Sequence, residues 1–112
     1  MAETQAKIAF LILSEDPGRA IPGLVMASRL KENRGDDVRV MFFGPGVKLA
    51  ASGKVDAQLE VLRNAGVLPK ACRGNVEQFN LEAEIADKPV ELLAAGAEIQ
   101  EYHHLGYTVL SF

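Results

Sequence analysis

The residue with the clearest chemical potential is Cys72, the only cysteine in the chain. It stands where a short apolar segment, Val67–Cys72, predicted as the third strand, gives way to a predicted short helix. In open α/β sheets, ligands gather outside the carboxyl ends of the strands. The thiolate is the reactive form of cysteine, and cations or a helix amino terminus nearby favour it. Lys70 and Arg73 flank Cys72, and Asn75 followed by Gln78 resembles a capping box with Asn in place of Ser or Thr. A helix opening at Asn75 would direct N–H groups toward the sulfur. Cys72, with Arg73, Gly74 and Asn75 in support, therefore suits a nucleophile that accepts sulfur as a persulfide. The competing reading is a buried structural thiol, because free cysteine is among the most buried residue types.

A second candidate is the loop Gly44-Pro45-Gly46 after the predicted second strand. Glycines let backbone approach a ligand and present N–H groups as an anion nest. The spacing is neither a P-loop nor a GxGxxG fingerprint, so a simple strand-exit turn competes with a pocket role. His103 and His104 are adjacent, and neighbours at i and i+1 diverge on a helix. With one cysteine and no companion carboxylate pattern, no metal site is expected. One histidine should pack while the other faces solvent or a partner subunit. Glu15-Asp16 closes the first strand as a possible base or as charge at a helix start. Ser14 lacks the GxSxG context of a hydrolase elbow. Glu82, Glu84, Asp87 and Glu91 form an acidic strip, most simply a solvated face.

These residues must be positioned by alternating strands and helices. Ile8–Leu13 is a continuous apolar run, as in a strand covered on both faces. A helix follows, starting between Pro17 and Pro22 and ending near Asn33, with Gly35 as its stop. Pro22 is expected only in a first turn. Val38–Phe43 reads as the second strand and Asp56–Asn64 as a helix closed by Gly66. Pro69 inside the third strand suggests an irregular or edge-like segment. The helix near Asn75 should run to about Phe79, with another turn over Leu81–Ala86. Pro89–Ala94 reads as a fourth strand, Ala97–Leu105 as a helix and Tyr107–Phe112 as a final strand. Residues 1–6 read as a short disordered lead-in, and 7–112 as one domain. The expected fold class is α/β: an open, mostly parallel five-stranded sheet flanked by helices, a flavodoxin-like three-layer sandwich.

Composition agrees and narrows the function classes. Hydrophobic residues are 48% of the 112, enough for a core without disulfide or metal. Charged residues are 24%, an ordinary globular value. The net charge of −3 argues against a nucleic-acid module, which carries a basic face. No apolar run can span a bilayer, and the first residues lack the pattern of a secretory signal. A single cysteine fits a reducing, cytoplasmic setting.

Taken in order, the segments KIAFLILSEDP (7–17), FFGPGVKLA (42–50), ACRGNVEQF (71–79) and AAGAEIQEYHHLGYTVLSF (94–112) resemble the DsrE/DsrF-like family of small sulfur-relay proteins. In that family a Gly-Pro-Gly-Val-like turn follows the second strand and a cysteine stands just after the third. A helix ending in Gly plus an aromatic, matched by Gly106-Tyr107, leads into the last strand. The resemblance implies a single DsrE-like domain over 7–112 and homo-oligomers, trimers or hexamers, or mixed complexes. It implies that Cys72 carries a persulfide between sulfur donor and acceptor proteins, as a sulfurtransferase-type carrier without a cofactor. Phe42, Phe43, Leu110 and Phe112 independently suggest assembly, since a small sheet does not easily hide them. The edge formed by the last strand is expected to be covered by a neighbouring subunit.

Two rival readings follow from the same residues. One is a non-enzymatic oligomeric subunit that binds a small anion or metabolite at the strand ends, with Cys72 an ordinary buried thiol. The other, a nucleotide or flavin binder, rests on architecture alone and lacks a phosphate-loop signature.

Overall fold

A computed structural model describes residues 5–112. Its elements are β1 (Lys7–Ile12), α1 (Pro17–Arg34), β2 (Asp37–Phe42), α2 (Pro45–Ser52), α3 (Asp56–Asn64), β3 (Lys70–Cys72), α4 (Arg73–Gln78), α5 (Glu82–Ala86), β4 (Glu91–Leu93), α6 (Ala95–His104) and β5 (Thr108–Ser111). The five strands form one all-parallel sheet in the order β4-β3-β2-β1-β5. The expected α/β class, an open parallel five-stranded sheet flanked by helices, is the observed one. The chain advances one strand at a time from β1 to β4, then crosses back to place β5 beside β1. Right-handed crossovers therefore lay α1 to α5 on one face and α6 alone on the other.

Strand alternation divides the core accordingly. Ile8, Phe10 and Ile12 of β1 lie in register with Val38, Val40 and Phe42 of β2, and these pack under α1, α2 and α3. Ala9 points the other way and joins Tyr102 and Tyr107 in a separate cluster beneath α6. Phe42, expected as surplus apolar surface, is fully buried in the larger core. Phe112 is half-buried, stacked on Phe10 at 5.6 Å between ring centroids. Phe43 and Leu110 do remain exposed.

Helix α1 starts at the early end of its expected window. Asp16 caps it, accepting from the Gly18 N–H at 2.9 Å, and Pro17 takes the first helical position. Pro22 thus sits inside the helix, not in its first turn. Its missing N–H deprives only the Gly18 carbonyl, and Gly18 is exposed to water. Gly35 stops the helix with φ of 68°.

Three segments differ from the sequence reading. Residues 45–52 form α2, where only a turn was expected. Gly46, Val47, Leu49, Ala50 and Ala51 of this helix are all buried, so it has no polar stripe to announce it. Pro69 precedes β3 instead of interrupting it, and β3 lies between β2 and β4, not at an edge. The expected lead-in over residues 1–6 lies outside the described residues for its first four positions. Gln5 and Ala6 are fixed: Gln5 Nε2 donates to the Gly35 carbonyl and the Ala6 N–H to Asp36 Oδ1.

Candidate functional site

Cys72 is the last residue of β3 and the N-cap position of α4, in extended conformation. Ala71 before it is fully buried in the larger core. Alternation therefore turns Cys72 toward the α6 side of the sheet. There it pairs with Leu93 of β4, and one further step of the β2–β3 register places Phe43 on its other side. Phe43 and Leu13, next along the same rim, are 39% and 37% exposed, whereas Cys72 is 8% exposed. Cys72 is thus a buried residue beside the exposed side chains of Phe43 and Leu13. Its Sγ leans over the first turn of α4, 3.8 Å from where a side chain on Gly74 would begin.

The capping box expected at Asn75 does not form, because α4 already begins at Arg73. Asn75 has a different task. Its Oδ1 accepts from the Gly44 N–H at 2.8 Å, while its Nδ2 donates to Gln78 Oε1 at 3.1 Å. This bond ties the loop after β2 to the helix after β3, and so brings the two candidate loops together beside Cys72.

That same bond removes the anion nest expected at Gly44, Pro45 and Gly46. The Gly44 N–H is taken by Asn75, Pro45 has none, and the Gly46 and Val47 N–H groups donate to the carbonyls of Phe43 and Gly44. Gly46 serves packing: a Cβ there would lie 2.0 Å from the Ile12 carbonyl oxygen, so only glycine lets α2 close on β1. Gly44, with φ of 59°, supplies the turn.

The two cations expected beside the thiol have other partners. Lys70 Nζ contacts Glu91 Oε1 at 2.6 Å, and this bond holds the Glu91 carboxyl below its ordinary range. Arg73 Nη2 donates to the Leu92 carbonyl at 3.1 Å. The first tie holds β3 to β4, and the second holds the start of α4 to β4. Asp16 is committed to capping α1, and His103 and His104 are both exposed, with Tyr102 in the packed position instead. Among the described residues no group of three or more His, Cys, Asp or Glu side chains could hold a metal ion.

An apolar cavity of about 310 Å³ opens at the carboxyl ends of β1 and β2, lined by Leu11, Phe43, Ala95, Gly96 and Ile99. It shares Phe43 with the Cys72 row. A larger groove of about 420 Å³ runs between α1 and α3, remote from Cys72.

The fold is shared with solved proteins. A conserved protein of unknown function, BT1422 from Bacteroides thetaiotaomicron, superposes with a TM-score of 0.80 at 19% identity, over 95% of each chain. The ychN protein from E. coli gives 0.79 at 20% identity, over 96% of this chain and all of the other. MTH1491 from Methanobacterium thermoautotrophicum, also of unknown function, gives 0.79 at 15% identity with the same coverage. No protein-family model matches the chain, and no curated protein does. No helix among the described residues is long and apolar enough to cross a membrane.

Sequence reasoning missed Phe43 and Leu93 as neighbours of Cys72. The signal was available in principle, because register between adjacent parallel strands decides which side chains share a rim.

Proposed function

We propose that this chain is a sulfur carrier of the DsrE type, working in the cytoplasm as a homo-oligomer between donor and acceptor proteins. The observation that carries the reading is the place of Cys72: the carboxyl end of a central strand, at a strand–helix junction braced by the Asn75–Gly44 bond. The Cys72 thiolate attacks the terminal sulfur of a donor persulfide. The donor's S–S bond breaks and its thiolate leaves. An acceptor thiolate then attacks the outer sulfur held on Cys72, releasing Cys72 as thiolate. The apolar row of Leu13, Phe43 and Leu93 around the thiol suits contact with a protein surface rather than with a free ion.

Incubation with polysulfide should add about 32 Da to the intact mass, reversed by dithiothreitol and absent in Cys72→Ala. Uptake that persists in Cys72→Ala would sink the reading.

The non-enzymatic alternative draws on the low exposure of Cys72 and on the cavity beside Phe43. Its lining carries no charge, so it suits an apolar group better than an anion. Alkylation of Cys72 no faster than a model thiol, together with no mass gain, favours this reading.

A further inference from the structure

The two edges of the sheet are protected very differently. Strand β4 is three residues long, follows Pro89, carries Glu91 paired to Lys70, and has its Leu92 carbonyl held by Arg73. Such charges and blocked groups are how sheet edges avoid pairing with another chain. Strand β5, Thr108-Val109-Leu110-Ser111, has no charge and no proline, and among the described residues it pairs only with β1.

Its free hydrogen-bonding groups can be assigned. The Phe112 N–H donates to the Leu11 carbonyl, and the Phe112 carbonyl accepts from the Leu13 N–H. Both groups of Phe112 therefore face β1, as do those of Leu110 and Thr108 by alternation. Val109 and Ser111 then point their N–H and C=O groups away from the sheet. The phase is self-complementary. Placed antiparallel about a two-fold axis at Leu110, two copies set Val109 opposite Ser111, each pair exchanging two hydrogen bonds. Leu110 then meets Leu110 of the second copy in the close, non-hydrogen-bonded position.

Side chains and charges agree with that arrangement. Leu110 is 42% exposed on the α1 side of the sheet. Met26, 50% exposed, lies one turn along α1 from Gly23, whose missing side chain admits the Phe112 ring. Both exposed apolar residues thus belong to the α1 side of the molecule. Glu15 and Asp16 follow the carboxyl end of β1 beside β5, with Arg19 the nearby cation. Lys7 stands at the amino end, its Nζ on the Leu105 carbonyl. Antiparallel pairing brings the acidic end of one copy toward the Lys7 end of the other.

We infer that β5 is the docking edge for a second copy of this chain, joined antiparallel about a two-fold axis at Leu110 into a continuous ten-stranded sheet. A cyclic trimer has no two-fold axis, so this edge requires a dimer or a larger assembly of such pairs, for example a hexamer containing three of them. The inference stands independently of sulfur transfer.

Light scattering on the full chain should give an even subunit number. Leu110→Lys should halve the mass while circular dichroism is unchanged, since Leu110 is exposed. Val109→Pro, which removes an outward N–H without touching the β1 pairing, should do the same. Because Leu110 faces itself, mixing Leu110→Lys with Leu110→Glu protein should restore the mass. A monomeric or trimeric native protein, an unchanged mass in Leu110→Lys, or a mixture that fails to reassociate overturns the inference. Persulfide uptake by Cys72, measured on the same variants, tests the sulfur reading separately.

Discussion

The two faces of the sheet are built to different ends. Under α1 to α3, β1 and β2 present Phe10, Ile12, Val40 and Phe42, each at most 1% exposed, in one continuous core. On the other face a single helix accompanies the Ala9, Tyr102 and Tyr107 cluster and, by strand alternation, the buried Met41. The rest of that face is a polar knot at the strand amino ends and an apolar row around Cys72 at the carboxyl ends. The contrast teaches that stability is concentrated on one side, leaving the other free to carry reactive and binding groups.

Adjacent phenylalanines test the contrast most sharply. Phe42 is fully buried on the filled face, while Phe43 is 39% exposed on the other. Phe42→Ala should cost about 3–5 kcal/mol in urea unfolding. Phe43→Ala should cost less than about 1 kcal/mol, the range of exposed substitutions, and should instead alter what reaches Cys72. Equal losses from the two would erase the distinction between the faces.

The polar knot comes next in size. The Tyr107 hydroxyl donates to Asp37 Oδ2 at 2.5 Å, and the Arg39 guanidinium lies 5.1 Å from the ring centroid. Tyr107→Phe should cost about 1.5–3 kcal/mol at neutral pH, as for a hydrogen bond to a charged group. Burial, and then the bond to Asp37, raise the Tyr107 pKa. Tyr102 is raised further, by burial and then by Glu98, although its hydroxyl makes no well-formed hydrogen bond. These are the only two tyrosines of the chain. In the unfolded state they ionise near about pH 10, and in the folded state at higher pH. The folded state thus holds more protons above about pH 10, and its stability falls as pH rises through that range toward the folded values. Urea midpoints that stay flat from neutral pH into that range, or a phenolate titration at the ordinary tyrosine value, would contradict this.

What the sequence revealed depended on whether a residue's partner was near in the chain. The five strands, α1, α3 and α6 were legible because their apolar spacing and their stops, such as Gly35 and Gly66, are local. Helix α2 was not, since a helix buried on nearly every side has no amphipathic period and its Pro-Gly start imitates a turn. Cys72 was legible as a residue at a strand end. Its surroundings were not: Lys70 and Arg73 looked like thiolate partners, yet their actual partners, Glu91 and Leu92, lie about twenty residues on. Asn75 had a local explanation, the capping box, that a distant partner displaced.

Asn75 gives the smallest and most local prediction. Its carboxamide oxygen is the acceptor for the Gly44 N–H across 31 residues of chain, at the boundary between the filled face and the Cys72 row. Asn75→Ala leaves that half-buried N–H without its partner and should cost about 1 kcal/mol. It should also loosen the α4 turn and raise the rate at which Cys72 reacts with a thiol probe. Asn75→Asp keeps an acceptor oxygen for Gly44 but cannot donate to Gln78, so it should preserve most of the native rate. An Asn75→Ala protein with native stability and a native Cys72 rate would mean that the bond accompanies the local structure without holding it.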